Sequence, residues 1–99
     1  MRIGEVIGTV TLSRRHPSLD GARLKLVVPL SWDNLARRSD ESMGEIAVYD
    51  ELGAGVGSRI AISEGREAAM PFYPEVKPID AYNAAILDTL EYEIPDSRL

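Results

Sequence analysis

A glycine-rich segment in the middle of the chain restricts the possible folds more than any other feature. Its five residues are Gly53, Ala54, Gly55, Val56 and Gly57. A loop of this kind binds a nucleotide phosphate only where a helix follows it, because the helix N-terminus supplies free N–H groups and a favourable dipole. Residues 59–63 instead alternate apolar and polar side chains, which predicts a strand. We therefore predict that the segment is a tight turn between two strands.

Alternation of side chains predicts four strands in the first two-thirds of the chain. The predicted strands cover residues 4–12, 24–30, 45–49 and 59–63. Gly4 and Gly8 share one face of the first strand, so we expect that strand to coil strongly. Turn-forming residues at positions 16–21 make the first two strands a long hairpin.

The remaining segments hold short helices and an ambiguous last element. We predict one helical turn at residues 32–35, inside a polar loop over 31–44, and a short helix over 64–70. Prolines at 71, 74 and 78 are expected to prevent regular structure as far as Ile79. Residues 79–90 suit a helix by composition, but four strands need a fifth to close a barrel. We predict a turn and then a strand from about residue 85, which makes a small five-stranded barrel.

The composition argues against an enzyme and against a nucleic-acid binder. The net charge is −5, whereas binding to phosphate backbones requires a basic surface. There is no cysteine, and His16 is the only histidine, in a proline-containing turn. The carboxylates of Asp50, Glu51, Asp80 and Asp88 show no spacing that selects a catalytic pair, so they are interpreted as solvated or as capping turns. We predict no catalytic, metal or cofactor site.

Length and hydropathy point to one soluble domain. Residues 1–99 are expected to form a single domain, small enough that oligomerisation would add useful burial. No apolar run is long enough to span a membrane, and the chain does not open on a signal sequence. A cytoplasmic location is therefore expected, with no membrane partner.

With these residues laid out, the chain resembles the pentameric shell-vertex proteins of bacterial microcompartments, the EutN/CcmL family of ethanolamine-utilisation and carboxysome vertex proteins. The most specific match runs from Asp50 to Gly57 and is similar to the family's Asp-x-Val-Gly-Ala-Gly-x-Gly pattern. Three other segments also match: Gly4, Val6, Gly8 and Val10; Leu19, Gly21, Leu24, Pro29 and Leu30; and Pro78, Ile79, Asp80 and Ala81 through Ile86, Leu87 and Asp88. Val28, Ser58 and the long loop over 31–44 depart from the pattern, and residues 91–99 match no motif and are interpreted as an extended C-terminal tail.

The resemblance implies a mainly β fold, a five-stranded OB-like β-barrel with one or two short helices, which assembles as a ring-shaped homopentamer. Such a ring would cap the fivefold vertices of a polyhedral shell in the cytoplasm, with copies of itself and hexameric shell proteins as partners. The segment Gly53, Ala54, Gly55, Val56 and Gly57 is then expected to lie at a subunit contact or at the axial opening.

Two other hypotheses remain open from the sequence. A five-stranded barrel also serves as a binding module for single-stranded nucleic acid or oligosaccharide, although the acidic charge weighs against nucleic acid. A nucleotide-dependent enzyme using the glycine segment is the other alternative, and it predicts thermal stabilisation by a nucleotide.

Overall fold

The computed structural model describes residues 1–36, 44–75 and 77–91. Within these residues five strands close into a barrel in the order β1-β2-β3-β5-β4. The strands are β1 (Arg2–Val10), β2 (Leu24–Pro29), β3 (Ile46–Tyr49), β4 (Arg59–Glu64) and β5 (Ala81–Leu87). The pairing of β3 with β5 is parallel, and the other four pairings are antiparallel. The predicted five-stranded barrel is therefore confirmed.

Branched aliphatic side chains from four of the strands fill the barrel. The side chains of Val6, Val27, Val48, Ile60 and Ile62 are all completely buried. Successive strand residues point to opposite faces, so alternate positions of each strand reach this interior. Burying each such side chain stabilises the fold by about 1.5–3 kcal/mol.

The first strand bends where the sequence places its glycines. The register between β1 and β2 shifts between Val6 and Gly8. A shift of this kind bends the strand and increases its twist, in agreement with the predicted coiling. At Gly4 the barrel wall is so close that an added Cβ would lie 2.5 Å from Val27 Cγ1 and 2.7 Å from Ile62 Cδ1. Glycine at this position therefore permits the close approach of β1 to the core.

Two short helices flank the barrel. Helix α1 (Trp32–Leu35) begins with a capping box, in which Asn34 N donates to Ser31 Oγ and Ser31 N donates to Asn34 Oδ1, both at 3.0 Å. This is the predicted helical turn, while residues 37–43 of the predicted loop lie outside the described residues. Helix α2 (Arg66–Ala69) follows Gly65, and it is shorter than the predicted helix over 64–70.

Three further predictions about the elements were wrong. Strand β1 begins and ends two residues earlier than predicted. Strand β5 begins at Ala81 and not near residue 85, because Ala81 and Asn83 are buried and residues 81–83 already pair with β4. The exclusion of regular structure after residue 70 also fails, since a 3₁₀ turn covers Met70–Phe72. Proline is tolerated in the first turn of a helix, where its missing N–H has no partner to lose.

Candidate functional site

The turn after β3 is organised by the carboxylate of Asp50, which is 1% exposed. Oδ1 of Asp50 accepts hydrogen bonds from Leu52 N at 2.9 Å and from Asn83 Nδ2 at 3.0 Å, and Oδ2 accepts one from Ala54 N at 2.7 Å. The backbone N–H of Asp50 donates to Arg23 O at 2.8 Å. An aspartate that binds the backbone N–H groups following it fixes a turn. Asp50 therefore joins the turn to β5 through Asn83 and to the start of β2 through Arg23.

The charge of Asp50 is retained in this buried position. Burial alone would raise the pKa of its carboxyl, but the bonds from Asn83, Leu52 and Ala54, together with the nearby Lys25 charge, lower that pKa below its ordinary value of 3.8. A carboxylate that accepts several hydrogen bonds favours its ionised form. Asp50 is thus an anion at neutral pH and acts as the electrostatic centre of the turn.

Backbone geometry accounts for two of the three glycines. Gly53 has φ 77° and Gly57 has φ 90°, a region that side-chain-bearing residues rarely adopt. Gly57 N donates to Val6 O at 2.8 Å, and Val6 N donates to Ser58 O at 2.9 Å, so the end of the turn is fastened to β1. Ala54 is 1% exposed and belongs to the core. The segment is consequently a fixed turn between β3 and β4, as predicted.

The outer side of the turn presents apolar side chains to solvent. Leu52 is 51% exposed and Val56 is 74% exposed, on either side of the buried Ala54. The turn offers backbone and aliphatic groups, and none of its residues 52–58 is titratable.

An aromatic cluster lies next to the turn and braces it. The rings of Tyr49, Phe72 and Tyr82 contact one another, with centroids 5.0 to 6.2 Å apart. Tyr82 OH donates to Glu51 Oε1 at 2.8 Å, and burial, followed by this bond and the surrounding negative charge, raises the pKa of Tyr82 to about 12. Lys77 Nζ lies 4.9 Å from the centroid of Phe72 and donates to Ser18 O. These contacts connect the turn to the β1–β2 hairpin.

The other groups that the sequence singles out are dispersed. His16 is exposed, and its Nδ1 accepts a bond from Ser18 N at 3.1 Å, so it caps its own loop. Asp80 and Asp88 are exposed and lie at opposite ends of β5. The described residues contain no group of three or more histidine, aspartate or glutamate side chains that would hold a metal ion. None of the described helices has the length and hydropathy needed to cross a membrane.

The sequence indicated the turn but not the residues that hold it. Asp50 was interpreted only as one of four carboxylates that are solvated or cap turns, and Asn83 was not singled out. An aspartate a few residues before a glycine-rich segment is a signal for a turn in which its side chain binds the following N–H groups. Asn83 gave a weaker signal, because a polar residue on the buried face of a strand is recognised only when the strand position is known.

Comparison with known proteins finds relatives that belong to one family. The family model described as ethanolamine utilisation protein EutN/carboxysome matches residues 1–88. The bacterial microcompartment shell vertex protein PduN of Salmonella typhimurium is 38% identical over 90 residues, which cover 91% of this chain and 98% of that protein. The carboxysome shell vertex protein CcmL of Nostoc sp. is 34% identical, with 94% of this chain and 88% of that protein covered.

A solved structure agrees with the same assignment. The GrpN pentameric microcompartment shell protein from Rhodospirillum rubrum superposes with a TM-score of 0.76 and 31% sequence identity. The match covers 94% of this chain and 100% of GrpN. Fold, length and sequence therefore lead to one conclusion: the chain belongs to the EutN/CcmL family of microcompartment shell vertex proteins.

Proposed function

We propose that this chain is a structural protein of a bacterial microcompartment shell, which forms homopentamers that cap the fivefold vertices of that shell in the cytoplasm. The observation that carries the proposal is the whole-length match to GrpN, a pentameric microcompartment shell protein, at a TM-score of 0.76. Its relatives PduN and CcmL are shell vertex proteins, and none of these proteins is named as an enzyme. The match favours this function over the alternative, a binding module for nucleic acid or oligosaccharide.

The barrel suits a subunit whose contribution is geometric. A ring with rotational symmetry uses two different faces of each subunit. A closed barrel has no unpaired strand edge, so it does not aggregate by pairing strands with other chains. Five copies arranged around an axis produce the curvature that a flat sheet of sixfold tiles lacks. The function proposed here thus needs a rigid shape and specific contacts, and it needs no reactive group.

Native mass spectrometry tests the pentamer directly. At a working concentration of the purified chain we expect a single species of five copies, each of 10.9 kDa. Only monomer or dimer at that concentration would refute the proposed function, whatever the behaviour of the loops.

The turn of residues 53–57 is proposed to lie at a subunit contact or at the axial opening. Support comes from the exposed Leu52 and Val56 on a turn that Asp50 and the bonds to β1 hold fixed. A preformed contact loop loses little conformational freedom on association, which favours assembly.

Substitution of Gly55 distinguishes an effect on the subunit contact from an effect on folding of the subunit. A Cβ added to Gly55 meets no atom within 4 Å, and Gly55 does not have a positive φ, so the subunit itself has room for a side chain. We expect Gly55→Val to leave the barrel folded, as judged by circular dichroism, and to reduce the pentamer fraction at least tenfold. Ser13→Val, in an exposed part of the β1–β2 hairpin, serves as a control of similar size. An unchanged pentamer in Gly55→Val would remove the turn from the contact while leaving the pentamer itself in place.

Hexameric shell proteins are proposed as the second partner. Sheets of hexamers close into a polyhedron only when fivefold units are inserted. Mixing the purified chain with a hexameric shell protein of the same organism should therefore give closed particles by electron microscopy, and omitting the chain should give open sheets or tubes. Closed particles of the same size without the chain would contradict this role.

The chain is also proposed to act as one domain over residues 1–99, with residues 91–99 as a C-terminal tail. The closed barrel and the family match over residues 1–88 support the single domain. Residues 92–99 of the tail lie outside the described residues.

A further inference from the structure

The β1–β2 hairpin lines an open cleft of about 380 Å³. Its walls are the ends of β1 and β2 and the connecting residues between them. A volume of this size is within the range of sites for small molecules. The cleft is therefore large enough for a ligand of its own.

The cleft is basic in a chain that is acidic overall. Arg15, Arg23 and Lys25 line it and no carboxylate does, although the whole chain carries a net charge of −5. Arg15 Nε donates to Asp20 at 2.9 Å, so its charge is partly balanced. The side chains of Arg23 and Lys25 make no hydrogen bond or ion pair with the described residues. Two cations without a salt bridge to the described residues therefore line the cleft, and the charge of Lys25 also acts on the nearby carboxylate of Asp50.

Hydroxyl and apolar residues complete the lining. Thr9 lies opposite Lys25 in the β1–β2 pairing, so their side chains are on the same face of the hairpin, and Thr11 follows two residues later. Leu19 also lines the cleft, whereas Leu24 follows the opposite face of β2 from Lys25. Hydroxyls next to cations suit the oxygen atoms of a phosphate or carboxylate, while Leu19 suits an apolar group attached to it.

The walls of the cleft are fixed by the fold. The connection is held by Leu19 N donating to His16 O at 2.8 Å and by Ala22 N donating to Leu19 O at 2.9 Å. Lys77 Nζ donates to Ser18 O from the aromatic cluster, and Asp50 N donates to Arg23 O at the start of β2. A cleft with prebuilt walls binds without the entropy loss of ordering a loop.

We propose that this cleft binds a small organic anion, a phosphate or carboxylate group with a short apolar substituent. Arg23 and Lys25 hold the anionic group with the hydroxyls of Thr9 and Thr11, and Leu19 contacts the apolar part. The site belongs to each subunit and is separate from the structural role of the ring.

Binding of phenyl phosphate to the assembled full-length protein tests the proposal. Isothermal titration calorimetry at constant ionic strength should show saturable binding with one site per subunit, weaker binding of inorganic phosphate and no binding of phenol. Each cation that contacts the anion contributes on the order of a tenfold change in affinity. The double substitution Arg23→Gln and Lys25→Gln should therefore weaken binding of phenyl phosphate at least tenfold.

A matched pair of substitutions controls for the loss of net charge. Arg59→Gln with Arg66→Gln removes two exposed arginines outside the cleft and should leave the affinity unchanged. Equal losses in both double variants, binding without saturation, or one site per pentamer would overturn the proposal. The proposal would also be overturned if the pentamer did not bind phenyl phosphate, which is the result expected if a carboxylate of a second copy occupied the cleft. Oligomeric mass is measured on every sample, so a failed binding site is distinguished from a failed pentamer.

Discussion

Replacement of Asp50 by asparagine tests whether one buried carboxylate holds the turn. In the structure Oδ1 accepts from Leu52 N and Asn83 Nδ2, while Oδ2 accepts from Ala54 N. Asp50→Asn keeps the shape but converts one of these oxygens into an NH2 group. If Oδ1 remains the acceptor, the new amide nitrogen faces the N–H of Ala54, and two donors then meet in a buried position.

The expected loss of stability follows from these contacts. A hydrogen bond to a charged group contributes about 1.5–3 kcal/mol, and a buried donor without an acceptor costs about 1–3 kcal/mol. Ala54 is completely buried, so water does not replace the lost acceptor. We expect Asp50→Asn to lower the free energy of unfolding by about 3 kcal/mol, which for a chain of this length lowers Tm by roughly 10–20 °C.

The pH dependence gives a second check with a defined sign. The folded pKa of Asp50 lies below its ordinary value of 3.8, so its charge stabilises the fold above that pH, and this contribution is lost as pH falls through the folded pKa. The difference between wild type and Asp50→Asn should therefore be full at pH 7 and should shrink below about pH 4.

The assay is urea denaturation followed by circular dichroism at one fixed protein concentration, because assembly makes apparent stability depend on concentration. Asp88→Asn, which removes an exposed carboxylate after β5, is the matched control and should be neutral. A loss below 1 kcal/mol at pH 7, or the same loss at pH 7 and pH 3, would refute the role given to Asp50.

Two further substitutions test the barrel wall and the aromatic cluster. Gly4→Ala places a Cβ 2.5 Å from the buried Val27 Cγ1, so we expect it to lower the free energy of unfolding, measured by urea denaturation, by about 1–3 kcal/mol. Gly8→Ala, whose nearest contact is at 3.8 Å, is the control and should be neutral. Equal effects of the two substitutions would contradict the close approach at Gly4. The pKa of Tyr82 is raised to about 12 from 10.0, so its contribution is full below pH 10 and is lost as pH rises towards 12. Tyr82→Phe should therefore lose less stability than wild type between pH 10 and 12, and identical pH profiles would contradict the stabilising role given to the Tyr82 hydroxyl and its bond to Glu51.

The barrel was predictable because its strands alternate in the usual way. Val6, Ile60 and Ile62 occupy alternate positions that the sequence marks as one face of their strands, and all three are buried. In β2 the alternating Leu24, Leu26 and Val28 are only half-buried, and the fully buried residue is Val27 on the other face. The end of the chain was harder, because the composition of residues 79–90 favours a helix over a strand. The strand was predicted only because a fifth strand is needed to close the barrel. That requirement does not determine the residue at which the strand begins.

The candidate site was predictable as a turn but not as a network. Its glycines are visible in the sequence, and their position before a strand argues against a phosphate loop. The bond from Asn83 to Asp50 joins residues 33 positions apart, and Lys77 reaches Ser18 across 59 positions. Such contacts depend on which strands are neighbours, and the parallel pairing of β3 with β5 is not encoded in any local pattern.

The way in which Asp50 holds the turn also bears on assembly. Ordering a backbone costs about 1–2 kcal/mol per residue, so fixing residues 53–57 only on association would cost about 5–10 kcal/mol per subunit, and a ring repeats that cost five times. Asp50 and the bonds to Val6 order these residues when the barrel folds, before any neighbour arrives. If the turn lies at the subunit contact as proposed, the contact of Leu52 and Val56 is then available without that loss. The buried carboxylate would in this way connect the stability of one barrel to the closure of the ring.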